Sequence, residues 1–186
     1  EIYLMEGFMD VIAAYRAGIE NAVASMGTAL TSEHVEHLKR FTKKVIVTYD
    51  GDKAGQAATA KALDELKDLP VQVVQIPDAM DPDEYLQKNS PQDLAYLLTN
   101  TRISPVEFYI HHFRPENSEN LQAQIEFIEK IAPLIAKEPS ITAQNSYIHI
   151  LTDHLPSFDY QQVEHIVNES RVRQRKEKVK ETYSPS

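Results

Sequence analysis

The chain has 186 residues, of which 42% are hydrophobic, and this is enough for one medium-sized domain with its own core plus a smaller helical unit. It contains no cysteine, which excludes a disulfide framework and a cysteine-ligated zinc site and suits a reducing cytoplasm. A net charge of −9 makes the chain by itself a poor binder of nucleic acid, since affinity for phosphate comes largely from Lys and Arg.

The first hundred residues alternate between strand and helix patterns. Short apolar runs, the third of them rich in β-branched residues, predict strands at residues 2–5, 21–25, 44–49 and 71–76. Between them, one helix is opened by Asp10 and ended by Gly18, and an Ala-rich helix covers residues 53–67. Another helix begins near Thr31 and carries Val35, Leu38 and Phe41 on one face. The order βαβαβαβ predicts an α/β fold with a parallel sheet and right-handed crossovers.

Beyond the fourth strand the patterns are helical. Ser90-Pro91 and Ser104-Pro105 each place a capping residue before a proline at the first helical position. Further helices are predicted at 106–113, 121–137, 142–155 and 159 to about 180, and Pro133 should kink or split the second of these. We therefore expect an α/β domain at 1–100, a small all-α subdomain at 101–170 and a charged tail or linker at 171–186.

Acidic residues follow three of the four predicted strands. They are Glu6 and Asp10, then Asp50 and Asp52, and, after a loop, Asp81 and Asp83. The carboxyl ends of the strands of an open α/β sheet lie together at one edge, where such folds bind ligands. Carboxylates gathered there lose hydration and repel one another unless a cation joins them. The pattern predicts a site for Mg²⁺, which prefers oxygen ligands and can handle phosphate.

Two charged residues of this region have two interpretations each. Asp10 either joins the metal site or caps its helix. Lys53 either contacts a nucleotide phosphate or is a solvated counter-ion beside Asp52. Gly7 has no side chain to obstruct a ligand, so it is a candidate for close phosphate contact.

Four runs of residues resemble the Toprim domain of bacterial DnaG-type primases. They are Glu6-Gly7-Phe8-Met9-Asp10, Ala24-Ser25-Met26-Gly27-Thr28, Tyr49-Asp50-Gly51-Asp52-Lys53-Ala54-Gly55 and Asp81-Pro82-Asp83. Toprim domains in general share the glutamate and the D-x-D, and primases add the remaining features. The resemblance covers residues 1 to about 100, while the helical remainder fits the small subdomain that closes the primase RNA-polymerase core.

The resemblance implies a set of site residues and an activity. The metal-binding acids would be Glu6, Asp10, Asp50, Asp52, Asp81 and Asp83. Among them Glu6, Asp50 and Asp52 would be catalytic. The ion would be Mg²⁺, with Mn²⁺ able to substitute. The reaction would be synthesis of short RNA primers on single-stranded DNA from ribonucleoside triphosphates, in which a 3′-hydroxyl attacks an α-phosphate.

The resemblance also implies parts that lie outside this chain. Because the chain starts with Glu1 and enters a strand at once, we expect it to be a piece of a longer protein that is inactive as a fragment. A cysteine-ligated zinc domain and a basic half of the catalytic core would precede Glu1, and a domain that binds the replicative helicase would follow Ser186. We expect a monomer in the bacterial cytoplasm without a membrane partner, since no apolar run reaches the ~20 residues of a membrane span and no signal peptide is seen.

Two other functions fit parts of the pattern. A Toprim topoisomerase or nuclease would share the glutamate and the D-x-D, but the D-P-D element favours a primase. A phosphoacceptor receiver domain, which is not an enzyme, is also doubly wound with acids at strand ends. A receiver carries adjacent acids after its first strand and a lone acceptor after its third, whereas this chain has Glu-Gly and D-x-D there.

Overall fold

The computed structural model describes residues 1–183 and divides the chain into two compact units, Glu1–Pro105 and Val106 onward. The boundary lies five residues beyond the predicted one at residue 100. The reason is an antiparallel bridge between Val73 and Ile103, whose backbone groups exchange hydrogen bonds of 2.9 and 2.8 Å. This bridge attaches residues 101–104 to the first unit. Among residues 1–183, no helix combines the length and the apolar character that crossing a bilayer requires.

The first unit is built on a four-stranded parallel sheet. Its strands are β1 (Ile2–Met5), β2 (Ala22–Ala24), β3 (Val45–Val47) and β4 (Val71–Val73), in the order β2-β1-β3-β4. The predicted parallel α/β fold is therefore confirmed; β1 has the predicted bounds, and β2, β3 and β4 are shorter than predicted. All three residues of β3 are buried, as expected of a central strand covered on both faces.

Five helices and one 3-10 turn (Pro77–Ala79) connect and cover these strands within residues 1–105. The helices are α1 (Phe8–Arg16), α2 (Ser32–Phe41), α3 (Lys53–Glu65), α4 (Pro82–Lys88) and α5 (Pro91–Asn100). Core residues of α1, α4 and α5 pack with Tyr3, Met5 and Ile46 of the sheet. Of the residues expected on one face of α2, Val35 is buried, whereas Phe41, the last residue of the helix, is 77% exposed.

The second unit is all-helical, as predicted. Its helices are α6 (Pro105–Phe113), α7 (Leu121–Ala136), α8 (Ile141–Asp153) and α9 (Tyr160–Tyr183). Its core is formed mainly by α7, α8 and α9, with Ile131, Ile135 and Leu151 fully buried.

Pro133 lies inside a continuous α7 and does not split it, and its carbonyl accepts a 3.0 Å hydrogen bond from the Gln174 side chain of α9. The helix predicted from 159 to about 180 is confirmed as α9, so residues 171–183 of the expected tail are helical. Arg171 bonds the side chain of Gln144, so the start of this segment is tied to α8 as well as α7. Residues 184–186 of the predicted tail lie outside the described residues.

Candidate metal centre

Three carboxylates from three different parts of the first unit meet at the carboxyl edge of the sheet. Asp10 is the third residue of α1, Asp50 follows β3, and Asp81 is the N-cap of α4. One oxygen of each lies within 4.8 Å of the other two. The expected convergence of the acidic clusters therefore occurs, and an all-oxygen set of this kind suits a hard divalent cation.

Asp10 is held in place by two backbone N–H groups. The helix begins at Phe8 with Gly7 as its N-cap, so the prediction that Asp10 itself opens the helix is wrong by three positions. Its Oδ2 accepts a 3.2 Å bond from the Gly7 N–H, and its Oδ1 accepts one of the same length from the Asp83 N–H. Asp10 thus fastens the start of α4 to the start of α1, while its buried carboxylate stays within reach of Asp50 and Asp81.

The charged neighbours that shift the pKa values of Glu6, Asp10 and Asp50 are other acids. Burial raises the pKa of Asp50 to about 7, and the neighbouring Glu6 adds to this through a shared hydrogen bond and charge repulsion. Burial likewise raises the pKa of Asp10 to about 6 and raises the pKa of Glu6. Asp50 Oδ1 is also buried without a hydrogen-bond partner. A divalent cation would bond this oxygen and neutralise the acids, so the residues fit such an ion.

The structure places the other predicted acids beside the cluster. Asp52 is the exposed N-cap of α3, where its Oδ1 accepts a 2.7 Å bond from the Gly55 N–H. Asp83 accepts a 3.1 Å bond from the Gln87 side chain. Neither belongs to the close triad of Asp10, Asp50 and Asp81. Metal binding by Asp52, Asp83 and Glu6 therefore stays a prediction, as does phosphate contact by Lys53, the exposed first residue of α3.

Two glycines let the loops that carry Asp50 and Asp81 pack closely. A Cβ on Gly51 would lie 2.1 Å from the Ile76 carbonyl oxygen, and one on Gly55 would lie 2.0 Å from the Asp50 carbonyl oxygen. The Gly51 N–H also donates a 2.9 Å bond to the carbonyl of Met80, which precedes Asp81. The β3–α3 turn is thereby fixed to the loop that enters α4, and this sets the spacing of the two carboxylates.

We expect Gly51→Ala to destabilise the first unit by about 1–3 kcal/mol, because the added Cβ forces apart two backbone segments in close contact. The same displacement should weaken Mn²⁺ binding by separating Asp50 from Asp81. Urea unfolding and Mn²⁺ titration would measure the two effects. Gly18→Ala is the comparison variant, since a Cβ there meets nothing within 4 Å although its positive φ adds backbone strain. Unchanged Mn²⁺ affinity in Gly51→Ala would contradict the role given to this contact.

Stabilisation by Mn²⁺ should be greater at about pH 7.5 than at about pH 5. Acids whose pKa is raised in the folded protein keep protons that the unfolded chain has lost. Between the unfolded value of 3.8 and the folded value of about 7, Asp50 therefore makes the metal-free protein less stable as pH rises. A cation must displace those protons at low pH but binds ionised carboxylates at higher pH. Thermal unfolding with EDTA or Mn²⁺ tests this, and an equal or smaller Mn²⁺ effect at the higher pH would contradict it.

The acidic cluster forms one end of a cavity of about 1120 Å³. The cavity continues between the loop at residues 25–30 and the small residues of α3. Tyr49, which lines it, is buried and bonded to Ser25, so this side chain ties the end of β3 to the loop. Ser25 and Tyr49 belong to the runs that carry the family resemblance, but the sequence assigns them no site role, because a tyrosine ending an apolar strand and alanines in a helix carry no chemical signal.

Comparison with known proteins gives consistent matches over most of the chain. Residues 3–86 match a family described as Toprim-like. A DNA primase of Lactococcus lactis is 56% identical over 168 residues, covering 90% of this chain and 26% of that protein. The chain therefore spans about a quarter of the length of this relative.

Solved structures also match most of this chain. The RNA polymerase domain of Mycobacterium tuberculosis primase DnaG matches with a TM-score of 0.65 and 30% identity, covering 82% of this chain and 50% of that one. A DnaG primase catalytic domain bound to single-stranded DNA matches with a TM-score of 0.62 and 28% identity, covering 87% and 52%. The matched fold is that of a primase catalytic core.

Proposed function

We propose that this chain, a member of the bacterial DnaG-type primase family, supplies the metal-binding part of a centre that joins ribonucleotides on a DNA template. The observation that supports this most directly is the meeting of Asp10, Asp50 and Asp81 at the carboxyl edge of the sheet. The family is metal-dependent, and we infer that the ion is Mg²⁺, with Mn²⁺ as a substitute. The reaction is the attack of a primer 3′-hydroxyl on the α-phosphate of a nucleoside triphosphate, which forms a phosphodiester bond, breaks the bond between the α- and β-phosphates and releases pyrophosphate.

In this proposal each acid has a stated task. Asp10, Asp50 and Asp81 hold the cation, and Glu6, Asp52 and Asp83 complete its surroundings or hold a second ion. Bound Mg²⁺ would neutralise phosphate charge and make the attacking hydroxyl more acidic. The backbone donors at Gly7 and Asp83 keep the Asp10 carboxylate oriented, and Gly51 and Gly55 keep the loops beside it close together. Lys53 and Gly7, which has no side chain to obstruct a ligand, are the proposed phosphate contacts.

The partners in this proposal are single-stranded DNA, nucleoside triphosphates and the growing RNA primer. A net charge of −9 gives this segment little attraction for a polyanion, so the basic contacts must come from other parts of a longer primase. We therefore expect the segment alone to be inactive. The proposal further includes a zinc domain and a helicase-binding domain elsewhere in that protein, a monomeric state and a location in the bacterial cytoplasm.

The proposal is tested with a full-length primase that carries this segment. Labelled ribonucleotides are supplied with single-stranded DNA and Mg²⁺, and a parallel reaction contains supercoiled plasmid without nucleotides. We expect template-dependent RNA of primer length and no nicking or relaxation of the plasmid. Strand cleavage without RNA synthesis would instead favour the topoisomerase or nuclease alternative and overturn the proposal.

A further inference from the structure

The end of α9 carries a local positive charge in a chain that is acidic as a whole. Residues 171–183 contain six basic and two acidic side chains, a net charge of +4, whereas the whole chain has −9. Every residue from 175 to 183 is exposed to solvent. This part of the helix therefore gains little from packing, and its surface is open to a partner.

The two acids of this segment lie on the side of α9 that faces the helical core. Val167 and Ser170 are buried there, and the Gln174 side chain bonds α7. Glu177 and Glu181 continue that row at steps of three and four residues. The basic side chains are thereby left for the outward faces of the helix.

Three of the basic residues form a row on one outward face, which we call the basic row. Arg173, Lys176 and Lys180 are three and four residues apart, so they share a face and span about 10 Å of the helix axis. Lys137, the C-cap of α7, lines the same groove as Arg173 and extends the row onto the neighbouring helix.

The protein itself leaves most of this charge unpaired. Among residues 1–183, neither Arg173 nor Lys176 forms an ion pair with a carboxylate, and Lys137 forms none either. Glu129 and Glu177 line the groove beside them without pairing. The row can therefore attract an anionic partner over a distance of ~10 Å at 0.1 M salt.

An apolar row runs along α9 beside the basic row. Val172, Val179 and Tyr183 are seven and four residues apart, and their side chains are 49%, 57% and 80% exposed. Cations in a row with an exposed aromatic ring next to them suit a single nucleic-acid strand, which offers regularly repeated phosphates and unstacked bases. An acidic protein surface would pair with the cations and leave the ring without a matching partner.

We propose that this face of α9 binds the backbone of a single nucleic-acid strand. Arg173, Lys176 and Lys180 neutralise neighbouring phosphates, and Tyr183 stacks on a base. Phosphates and base faces are common to all sequences, so binding at this site does not depend on sequence. The site belongs to the second unit, adds to the basic contacts from other parts of a longer primase, and does not depend on the reaction at the metal centre.

The test variant replaces the basic row as a whole in a full-length primase that carries this segment, as Arg173→Gln, Lys176→Gln and Lys180→Gln. The three positions are exposed and glutamine is a good helix former, so thermal unfolding should be unchanged. The matched control is Arg16→Gln, Lys67→Gln and Lys88→Gln, which removes the same charge from exposed positions of the first unit.

Binding of fluorescent oligodeoxythymidylate is measured by anisotropy at several salt concentrations. EDTA is present, so that no cation bridges the phosphates to the metal centre. We expect the α9 variant to reduce the slope of log affinity against log salt by about 2, because each phosphate contact on a single strand contributes about 0.7. At about 50 mM salt its affinity should fall about tenfold, while the control keeps the parent slope and affinity.

Tyr183→Ala separates stacking from charge. We expect it to weaken binding about fivefold or more and to leave the salt slope unchanged, since a stacked ring contacts no phosphate. Unchanged affinity in this variant would overturn the stacking contact.

An unchanged salt slope in the α9 variant would overturn the inference. An equal loss in the control would do so as well, because it would reflect general charge and not the basic row. Loss of primer synthesis with unchanged oligonucleotide binding would assign the row to another partner and overturn it too. Failure of the proposed function would look different: the parent would make no primers, yet it would still differ from the α9 variant in salt slope.

Discussion

Asp50→Asn is expected to lower primer synthesis by about a thousandfold in a full-length primase that carries this segment, while the protein stays folded. The amide keeps the shape of the side chain but removes the negative charge that binds the cation. Since the pKa of Asp50 is raised to about 7 by burial and by Glu6, its ionised form is unfavourable without metal. The variant should therefore be at least as stable as the parent in EDTA at about pH 7.5.

The same variant should lose the stabilisation that Mn²⁺ gives the parent, which thermal unfolding can measure alongside activity. Asp68→Asn is a suitable control, because Asp68 is an exposed acid whose nearest cation, Lys39, lies 3.9 Å away. Near-normal synthesis by Asp50→Asn, with Mn²⁺ still stabilising it, would remove Asp50 from the metal site.

Asp52→Ser is expected to lose most of the primer-synthesis activity with little loss of unfolding free energy. This variant separates two roles of the Asp52 carboxylate, capping α3 and binding a cation. Asp52 caps α3 through a 2.7 Å bond to the Gly55 N–H, and serine can make the same bond. Serine lacks the charge needed to bind a cation. Asp52→Ala should lose the same activity and, in addition, about 1 kcal/mol of unfolding free energy from the missing cap.

Urea unfolding gives the unfolding free energy of each variant, and primer assays give its activity. Together these measurements separate the capping role of Asp52 from a role in catalysis. If Asp52→Ser keeps most of the parent activity while Asp52→Ala is destabilised, then Asp52 is a helix cap only. In that case Asp52 no longer belongs to the six predicted metal-binding acids, and the close triad of Asp10, Asp50 and Asp81 remains.

The sheet and the meeting of the acids could be predicted because both follow from short-range patterns. Buried β-branched runs such as Val45–Val47 indicate parallel strands, and parallel strands bring their carboxyl ends to one edge. The sequence therefore predicts that Asp50 and Asp81 lie close together. The start of α1 was missed because its N-cap is Gly7, a weaker capping signal than the aspartate three residues later.

Features set by distant contacts could not be predicted. The domain boundary depends on a bridge between Val73 and Ile103, thirty residues apart, which no local pattern reveals. The helix from 159 to about 180 is predicted by its local pattern, but the hydrogen bonds of Arg171 and Gln174 that fasten this part of α9 to neighbouring helices are not. The distinction between the close triad and the capping Asp52 likewise depends on side-chain positions that D-x-D spacing leaves open.

The most direct measurement is the anomalous scattering of manganese in crystals of a full-length primase with this segment, soaked with Mn²⁺ and a nucleoside triphosphate. The predicted result is a manganese peak at about 2.1 Å from carboxylate oxygens of Asp10, Asp50 and Asp81, with phosphate oxygens on its open side. Crystals with ordered nucleotide and no manganese at these carboxylates would contradict the account.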